Sequence, residues 1–295
     1  METRMEPYQT VAPRSNDAND TGRMVLGWRW ATLVAIVVNV VFNALSEQLG
    51  GLGQSLPAIT ARYPNVFTPA GWAFSIWGVI YAAFLAYAIV GLLPSMRKQP
   101  LFDRTAMPLT FANLLASAWI IAFKSEVLVL SQGIIVAMLV LAGLMFNEAQ
   151  RARREGRVSL WATVPFSLFL AWLSVATVAQ TTISLVAAGW QGAPLSEPTW
   201  AAILSLIVML LGLVIALRHR DFVLPLVFGW ALIALWDVNQ DVQRVEAGWS
   251  ANVSLAAAIV SLTLALVVAA QHLLKIARRS APMSTRKQMR KQLGP

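Results

Sequence analysis

The chain has 295 residues, 57% of them hydrophobic and 13% charged, and a formal net charge of +9. A soluble domain of this size cannot bury that much apolar surface, whereas a bilayer solvates it directly, so the sequence describes an all-α integral membrane protein. The absence of Cys excludes disulfides, thiolate nucleophiles and Cys-ligated metals, and the positive charge lies in short loops beside apolar segments, where membrane orientation rather than nucleic acid accounts for it.

Residues 1–26 are polar, without the apolar stretch of a signal peptide, and are expected to form a disordered cytoplasmic tail. Span one is expected at 27–46; it opens on Trp28 and Trp30, whose amphipathic rings suit the headgroup region. The loop 47–68 holds Gly50-Gly51-Leu52-Gly53, which has no following Lys and no preceding strand and reads as a flexible loop rather than a phosphate loop. Span two is expected at 69–93, and the loop after it carries Arg97, Lys98 and Arg104. Spans three (108–123) and four (127–147) form a hairpin around Lys124 and Glu126, and Arg151, Arg153, Arg154 and Arg157 follow. Span five is expected at 159–180 and span six at 199–217, followed by the turn Arg218-His219-Arg220-Asp221. Span seven (222–236) precedes an acidic loop with Asp237, Asp241 and Glu246; span eight (251–274) precedes a basic cytoplasmic tail, 275–295. Spans three and seven are short for the roughly 20 residues that a bilayer-crossing helix needs.

Assigning alternate loops to alternate faces puts 20 of the 23 Lys and Arg on one side, leaving Arg62, Lys124 and Arg244 on the other. A missed or invented span would exchange the faces of everything after it and spoil that asymmetry. The expected location is therefore a cytoplasmic (inner) bacterial membrane, with both termini cytoplasmic.

No ionisable residue falls in the middle of a span. Intramembrane charges mark proton relays and ion pathways, and their absence argues against a proton-coupled pump, an intramembrane metalloprotease and a Ser-His hydrolase. Uncharged polar and aromatic residues recur at helical spacing instead. Phe74, Trp77, Gly78 and Tyr81 share one face of span two; Asn39 and Asn43 stack in span one, Asn113 and Ser117 in span three, and Trp172, Ala176 and Gln180 in span five. Amides in hydrocarbon need partners, so these faces should turn into the bundle. For any single Asn, helix–helix adhesion is the simpler reading; together the stripes suggest an aromatic-walled pocket with a few fixed polar groups. Of the 12 Trp, about half suit the interfacial belt, while Trp77, Trp119, Trp172 and Trp230 lie deeper.

The run Tyr63-Pro64-Asn65-Val66-Phe67-Thr68-Pro69-Ala70-Gly71-Trp72-Ala73-Phe74, followed by Trp77 and Tyr81, resembles the signature of the translocator protein (TspO/MBR) family, the tryptophan-rich sensory proteins. That signature is a Pro-x-aromatic-x-Pro-Pro-x-Trp-x-Phe stretch at the outer end of the second helix, then Trp-x-x-x-Tyr. Leu170-Ala171-Trp172-Leu173 with Ala176-Thr177 matches the fifth helix, with Gln180 where the family has Asn. Asn113 and Trp119 fall in span three, where the family carries an Asn and a Trp closer together. Ala70 replaces the second Pro, and the gap from Trp72 to Trp77 is one residue shorter than is typical. The resemblance covers residues 30–182 and makes the chain a divergent, extended branch.

The resemblance implies a five-helix bundle over 27–182, with three additional transmembrane helices over 183–274. It implies a binder, sensor or carrier of a flat apolar ligand such as a porphyrin, haem or a sterol-like molecule, lidded by the loop between the first two helices. Carried over by position, Trp72, Phe74, Trp77 and Tyr81 line the pocket, with Trp172 and Gln180 facing them and Asn39, Asn43, Asn113 and Trp119 completing the ligand-binding set. Arg62 in the lid is placed to meet a ligand carboxylate, although a solvated loop Arg is the plainer reading. No catalytic residue, metal or resident cofactor is expected, so the chain is read as a binder and not an enzyme. The alternative is an eight-helix small-solute transporter using all spans, but the span-two motif has no partner in span six, as an internal repeat would require. The partners expected are the lipid bilayer and a small apolar ligand. The Ala- and Ser-rich span eight leaves room for a homodimer contact.

Overall fold

The structure is a computed structural model that describes residues 15–48, 54–240 and 248–280. The expectations for residues 1–14, Gly50-Gly51-Leu52-Gly53, the acidic residues Asp241 and Glu246, and residues 281–295 lie outside the described residues.

Among the described residues every regular element is helical: α1 (Ser15–Gln48), α2 (Leu56–Thr60), α3 (Ile76–Leu92), α4 (Pro100–Lys124), α5 (Leu128–Arg154), α6 (Val164–Ala187), α7 (Glu197–His219), α8 (Val223–Val238) and α9 (Gly248–Ser280), with short 3-10 turns at Gly71–Ser75, Pro94–Met96 and Leu160–Ala162. Hydrocarbon imposes this, because a helix satisfies its own backbone groups and an open strand does not. Among the described residues seven helices are long and apolar enough to cross a membrane, and α8, with 16 residues, is shorter. With the short α2 lying outside this set, the eight long helices are those expected.

Two boundaries differ from expectation. α1 begins at Ser15, inside the stretch read as a disordered tail. The first residues of α1, 15–23, are almost all polar in sequence, so hydropathy carries no signal of the helix start. α4 runs back to Pro100 and carries Pro108 in its interior, which makes the third span 25 residues long rather than short. Pro108 reads as a start because it lacks an N–H. The turn before it is held by tertiary bonds: Arg29 Nε donates to Asp103 Oδ1 at 2.7 Å, and Arg104 donates to Glu148 at 2.6 Å.

The helices pack in two groups. α1 lies against α3 and α4, α4 against α5, α5 against α6, and α3 against α6. α7, α8 and α9 pack on one another and join the first group mainly through α6 and α8. Small residues permit the close approaches in the second group. A Cβ on Gly212 would stand 2.7 Å from the Phe228 ring, and one on Gly229 2.6 Å from Leu262. Ser205 and Ser254 join α7 to α9 through their hydroxyls at 3.0 Å. Such contacts replace the hydrophobic effect, which lipid does not supply between helices.

Candidate ligand-binding site

The α3–α6 seam is aromatic. Phe74 meets Trp172 edge-on at 5.7 Å, Trp77 meets Phe169 at 6.4 Å, Phe84 meets Phe169 at 5.1 Å and Tyr87 meets Phe166 at 4.9 Å. These are favoured T-shaped pairings. At the α2 end of the seam the helices leave a cavity of about 40 Å³, lined by Phe74, Trp77, Trp119, Phe123, Trp172 and Gln180 and covered by Leu56, Thr60, Thr68 and Pro69.

Its polar groups are fixed in one orientation. The Trp119 indole N–H donates to Gln180 Oε1 at 2.6 Å, and Gln180 Nε2 donates to Ser131 Oγ at 2.7 Å. The Ser131 hydroxyl in turn donates to the Leu128 carbonyl at 3.0 Å. One donor is left over: the indole N–H of Trp172, a residue 1% exposed, is buried and has no hydrogen-bond partner. An unpaired buried donor costs on the order of 1–3 kcal/mol.

Five of the ten residues singled out from the sequence, Phe74, Trp77, Trp119, Trp172 and Gln180, converge on this cavity. The other five lie elsewhere. Trp72 belongs to the 3-10 turn, is 41% exposed, packs edge-on against Trp230 at 4.7 Å and donates its N–H to Asp237 Oδ2 at 2.8 Å. Tyr81 stacks under Trp77 at 5.5 Å, and its hydroxyl accepts from Asn43 Nδ2 at 3.1 Å. Asn39 Nδ2 donates to Asn113 Oδ1 at 3.1 Å and Asn39 Oδ1 accepts from Ser117 at 3.1 Å, so these amides join α1 to α4. That is the adhesive role expected of a single buried amide.

The covering segment is tied down at both ends. Arg62 donates to Glu126 Oε1 at 2.7 Å and to Gln54 at 2.8 Å, which makes it an anchor of the α2 loop on the α4–α5 turn. The Tyr63 hydroxyl donates to Glu126 Oε2 at 2.6 Å, and that bond to a carboxylate raises its pKa above the ordinary phenol value. Asn65 folds the next turn by accepting from Phe67 N at 2.9 Å and donating to Tyr63 O at 2.9 Å. α8 then holds the stretch leading into α3. Asn239 Nδ2 donates to Val66 O at 2.9 Å, Ala70 N donates to Ala234 O at 3.1 Å, and the Trp230 indole donates to Ala73 O at 3.2 Å.

A larger apolar cavity, about 350 Å³, lies between α6 and α7 and is walled by Trp190, Trp200, Val178, Leu185 and Leu204, with Asn65, Val66 and Phe67 closing one side. The strip 65–69 thus separates the two cavities, Phe67 facing the larger and Pro69 the smaller. The larger one went unpredicted, since Trp190 and Trp200 read as interfacial Trp at the ends of spans. Their N–H groups are already used, bonded to the carbonyls of Ala193 and Gly192 at 3.1 and 2.7 Å.

The sequence model of the family described as TSPO-like protein matches residues 29–270. The match extends past residue 182 and takes in α7, α8 and most of α9, which the resemblance read from the motifs had left without a counterpart. No curated protein and no solved structure matches the chain.

Proposed function

The chain belongs to the TSPO-like protein family, and on that premise we propose that it is a membrane-embedded binder of a flat apolar ligand, a porphyrin or a sterol-like molecule, held between α3 and α6. The observation that carries this reading is the buried, unpaired indole N–H of Trp172, a residue that lines an aromatic cavity. A ligand carbonyl or carboxylate there would take up the orphaned donor, while the ring system stacks on Phe74 and Trp77. Each such stacking adds roughly 0.5–1.5 kcal/mol beyond area burial.

A void of about 40 Å³ has room for a water molecule or so, whereas ligand pockets run to several hundred Å³. Binding in this reading therefore displaces the strip 65–69 and joins the small cavity to the neighbouring one of about 350 Å³. The bonds from Asn239, Ala234 and Trp230 resist that displacement, which gives α8 the role of a clamp on the lid. The lining of the inner cavity comes from α2 to α6 and the covering loop, which favours a binder over a pathway running through all eight helices. The same proposal sets the end that carries Arg97, Arg153 and Lys275 on the cytoplasmic face of a bacterial inner membrane, as basic loops prefer.

Titrating the purified full chain in neutral detergent with protoporphyrin IX and with haem, and following the Soret band, tests this reading. Saturable binding is expected, weakened about tenfold in Trp172→Phe, a change equivalent to roughly 1.4 kcal/mol. Asp237→Ala, which frees Trp72, is expected to speed association several-fold. An absence of saturation, or equal affinity in Trp172→Phe, Trp77→Ala and the unaltered chain, would remove the proposal.

A further inference from the structure

We infer that the opposite, basic end of the bundle carries a second binding site, for a phosphate-bearing anion, in the cavity between α5, α7 and α9. The cavity measures about 380 Å³, and Arg153, Arg154, Arg218, Arg220 and Lys275 contribute five cations to its wall with no carboxylate among the lining. Basic loops as such are explained by membrane orientation. Orientation does not require cations from three helices and a turn to converge on one cavity.

The nearby carboxylates are engaged elsewhere. Asp221, fully buried, accepts from Gln150 Nε2 and Ser167 Oγ at 2.6 Å each, and from the backbone N–H of Val223 and Leu224. Glu148 pairs with Arg104, and Glu155 with Arg151 and Arg157. The bonds from Arg151 and Arg157 hold the Glu155 carboxyl below its usual range. None of these acids lines the cavity, and of the three only Asp221 acts electrostatically on its wall, through Arg153 and His219.

The site is also organised in advance. Arg153 reaches across to the carbonyls of His219 and Arg220, at 3.5 and 3.2 Å, and so fixes the α7–α8 turn on α5. Arg220 holds the left-handed conformation that ends α7, with φ 49°. Arg154 donates to His219 Nδ1 at 3.0 Å, which leaves the His219 proton on Nε2. His272 Nε2 lies 2.7 Å from the Arg220 carbonyl and 3.1 Å from the Arg153 guanidinium. The carbonyl only accepts and the guanidinium only donates, so one nitrogen cannot satisfy both. The shorter contact sets Nε2 as a donor, and it shares the Arg220 carbonyl with Arg153, whose guanidinium donates to the same oxygen at 3.2 Å, which brings the two nitrogens to 3.1 Å.

Several fork-shaped donors without a counter-acid suit a phosphate group, which carries more charge than a carboxylate and takes bidentate guanidinium contacts. At the edge of a bilayer the group belongs either to an anionic phospholipid headgroup or to a free phosphate, and basic pockets between membrane helices are a known form of headgroup site.

The test uses the full chain in neutral detergent at fixed ionic strength, titrated separately with inorganic phosphate, dioctanoyl phosphatidic acid and dioctanoyl phosphatidylcholine, with the thermal unfolding midpoint as readout. A saturable rise with phosphatidic acid alone identifies a lipid headgroup, and one with inorganic phosphate in the same concentration range identifies a free phosphate; either supports the site. Arg154→Gln/Arg218→Gln/Lys275→Gln is expected to raise the half-saturating concentration at least tenfold. Arg97→Gln/Lys98→Gln/Arg151→Gln removes the same charge outside the cavity and is expected to leave it unchanged. Should the cavity triple fail to fold, the exposed Arg218→Glu serves in its place, with the same direction. Equal effects of both triples, equal response to phosphatidylcholine, or no saturation by either phosphate would overturn the inference.

Discussion

Arg29→Ala is expected to lower the stability of the bundle by about 3–5 kcal/mol, the combined loss of its pairing with half-buried Asp103 and of charged bonds to four backbone carbonyls. Arg29 is 5% exposed on α1. Its guanidinium donates to Asp103 at 2.7 Å, to the carbonyls of Gly91 and Met96 at 2.6 and 3.0 Å, and to those of Arg97 and Gln99 at 3.2 and 3.3 Å. Gly91 lies in the last turn of α3, where carbonyls have no partner within the helix. One side chain on α1 therefore closes the end of α3, the loop that follows and the start of α4. A Cβ on Gly91 would stand 2.7 Å from the Phe102 ring, which keeps this corner close-packed. Arg29→Lys should recover little, because an ammonium has three donors where five bonds are made. Asp103→Ala should cost a comparable amount, since it leaves the buried guanidinium with its four carbonyls but no counter-charge. Chemical unfolding in detergent with tryptophan fluorescence as readout measures all three; an Arg29→Ala loss below about 1 kcal/mol would contradict this account of the corner.

Asp221→Ala is the second large effect, expected at about 2–4 kcal/mol as the sum of a lost helix cap and one unsatisfied buried donor. The carboxylate caps α8 through the N–H groups of Val223 and Leu224, at 2.8 and 3.3 Å. Its other oxygen holds Gln150 of α5 and Ser167 of α6. Removing it leaves the Gln150 amide without that acceptor, while Ser167 keeps the Thr163 carbonyl at 3.1 Å, and it loosens the α7–α8 turn. Asp221→Asn keeps one acceptor oxygen and should lose about half as much. Thermal unfolding of the two variants beside the unaltered chain checks the order; Asn as harmful as Ala would mean that charge and not acceptor geometry carries the effect.

Charge and hydropathy made the eight long helices legible, because lipid permits few alternatives. The site was legible in part. Helical spacing shows which residues share a face and is silent on which neighbour that face meets. The stripe of Asn39 and Asn43 meets α4 and Tyr81, not the cavity. Tyr81 continues the Phe74–Trp77 stripe one turn beyond the void and supports Trp77 from below. Trp72 leaves that stripe because it sits in a 3-10 turn, whose three residues per turn aim it at α8. Arg29, at the start of span one, and Asp221, in the turn after span six, were visible only as charges at the ends of spans. Their weight comes from carbonyls and amides that distant segments supply, which no local pattern encodes. The role of α8 was hidden for the same reason: the bonds from Asn239, Ala234 and Trp230 reach residues more than 150 positions earlier.

The most direct measurement is a structure of the full chain with protoporphyrin IX bound. The account predicts the ring between α3 and α6, a polar edge within hydrogen-bond distance of the Trp172 indole nitrogen, and the strip 65–69 drawn away from Asn239. A ring seated between Trp190 and Trp200, with the Trp77–Trp172 cavity unchanged, would contradict it.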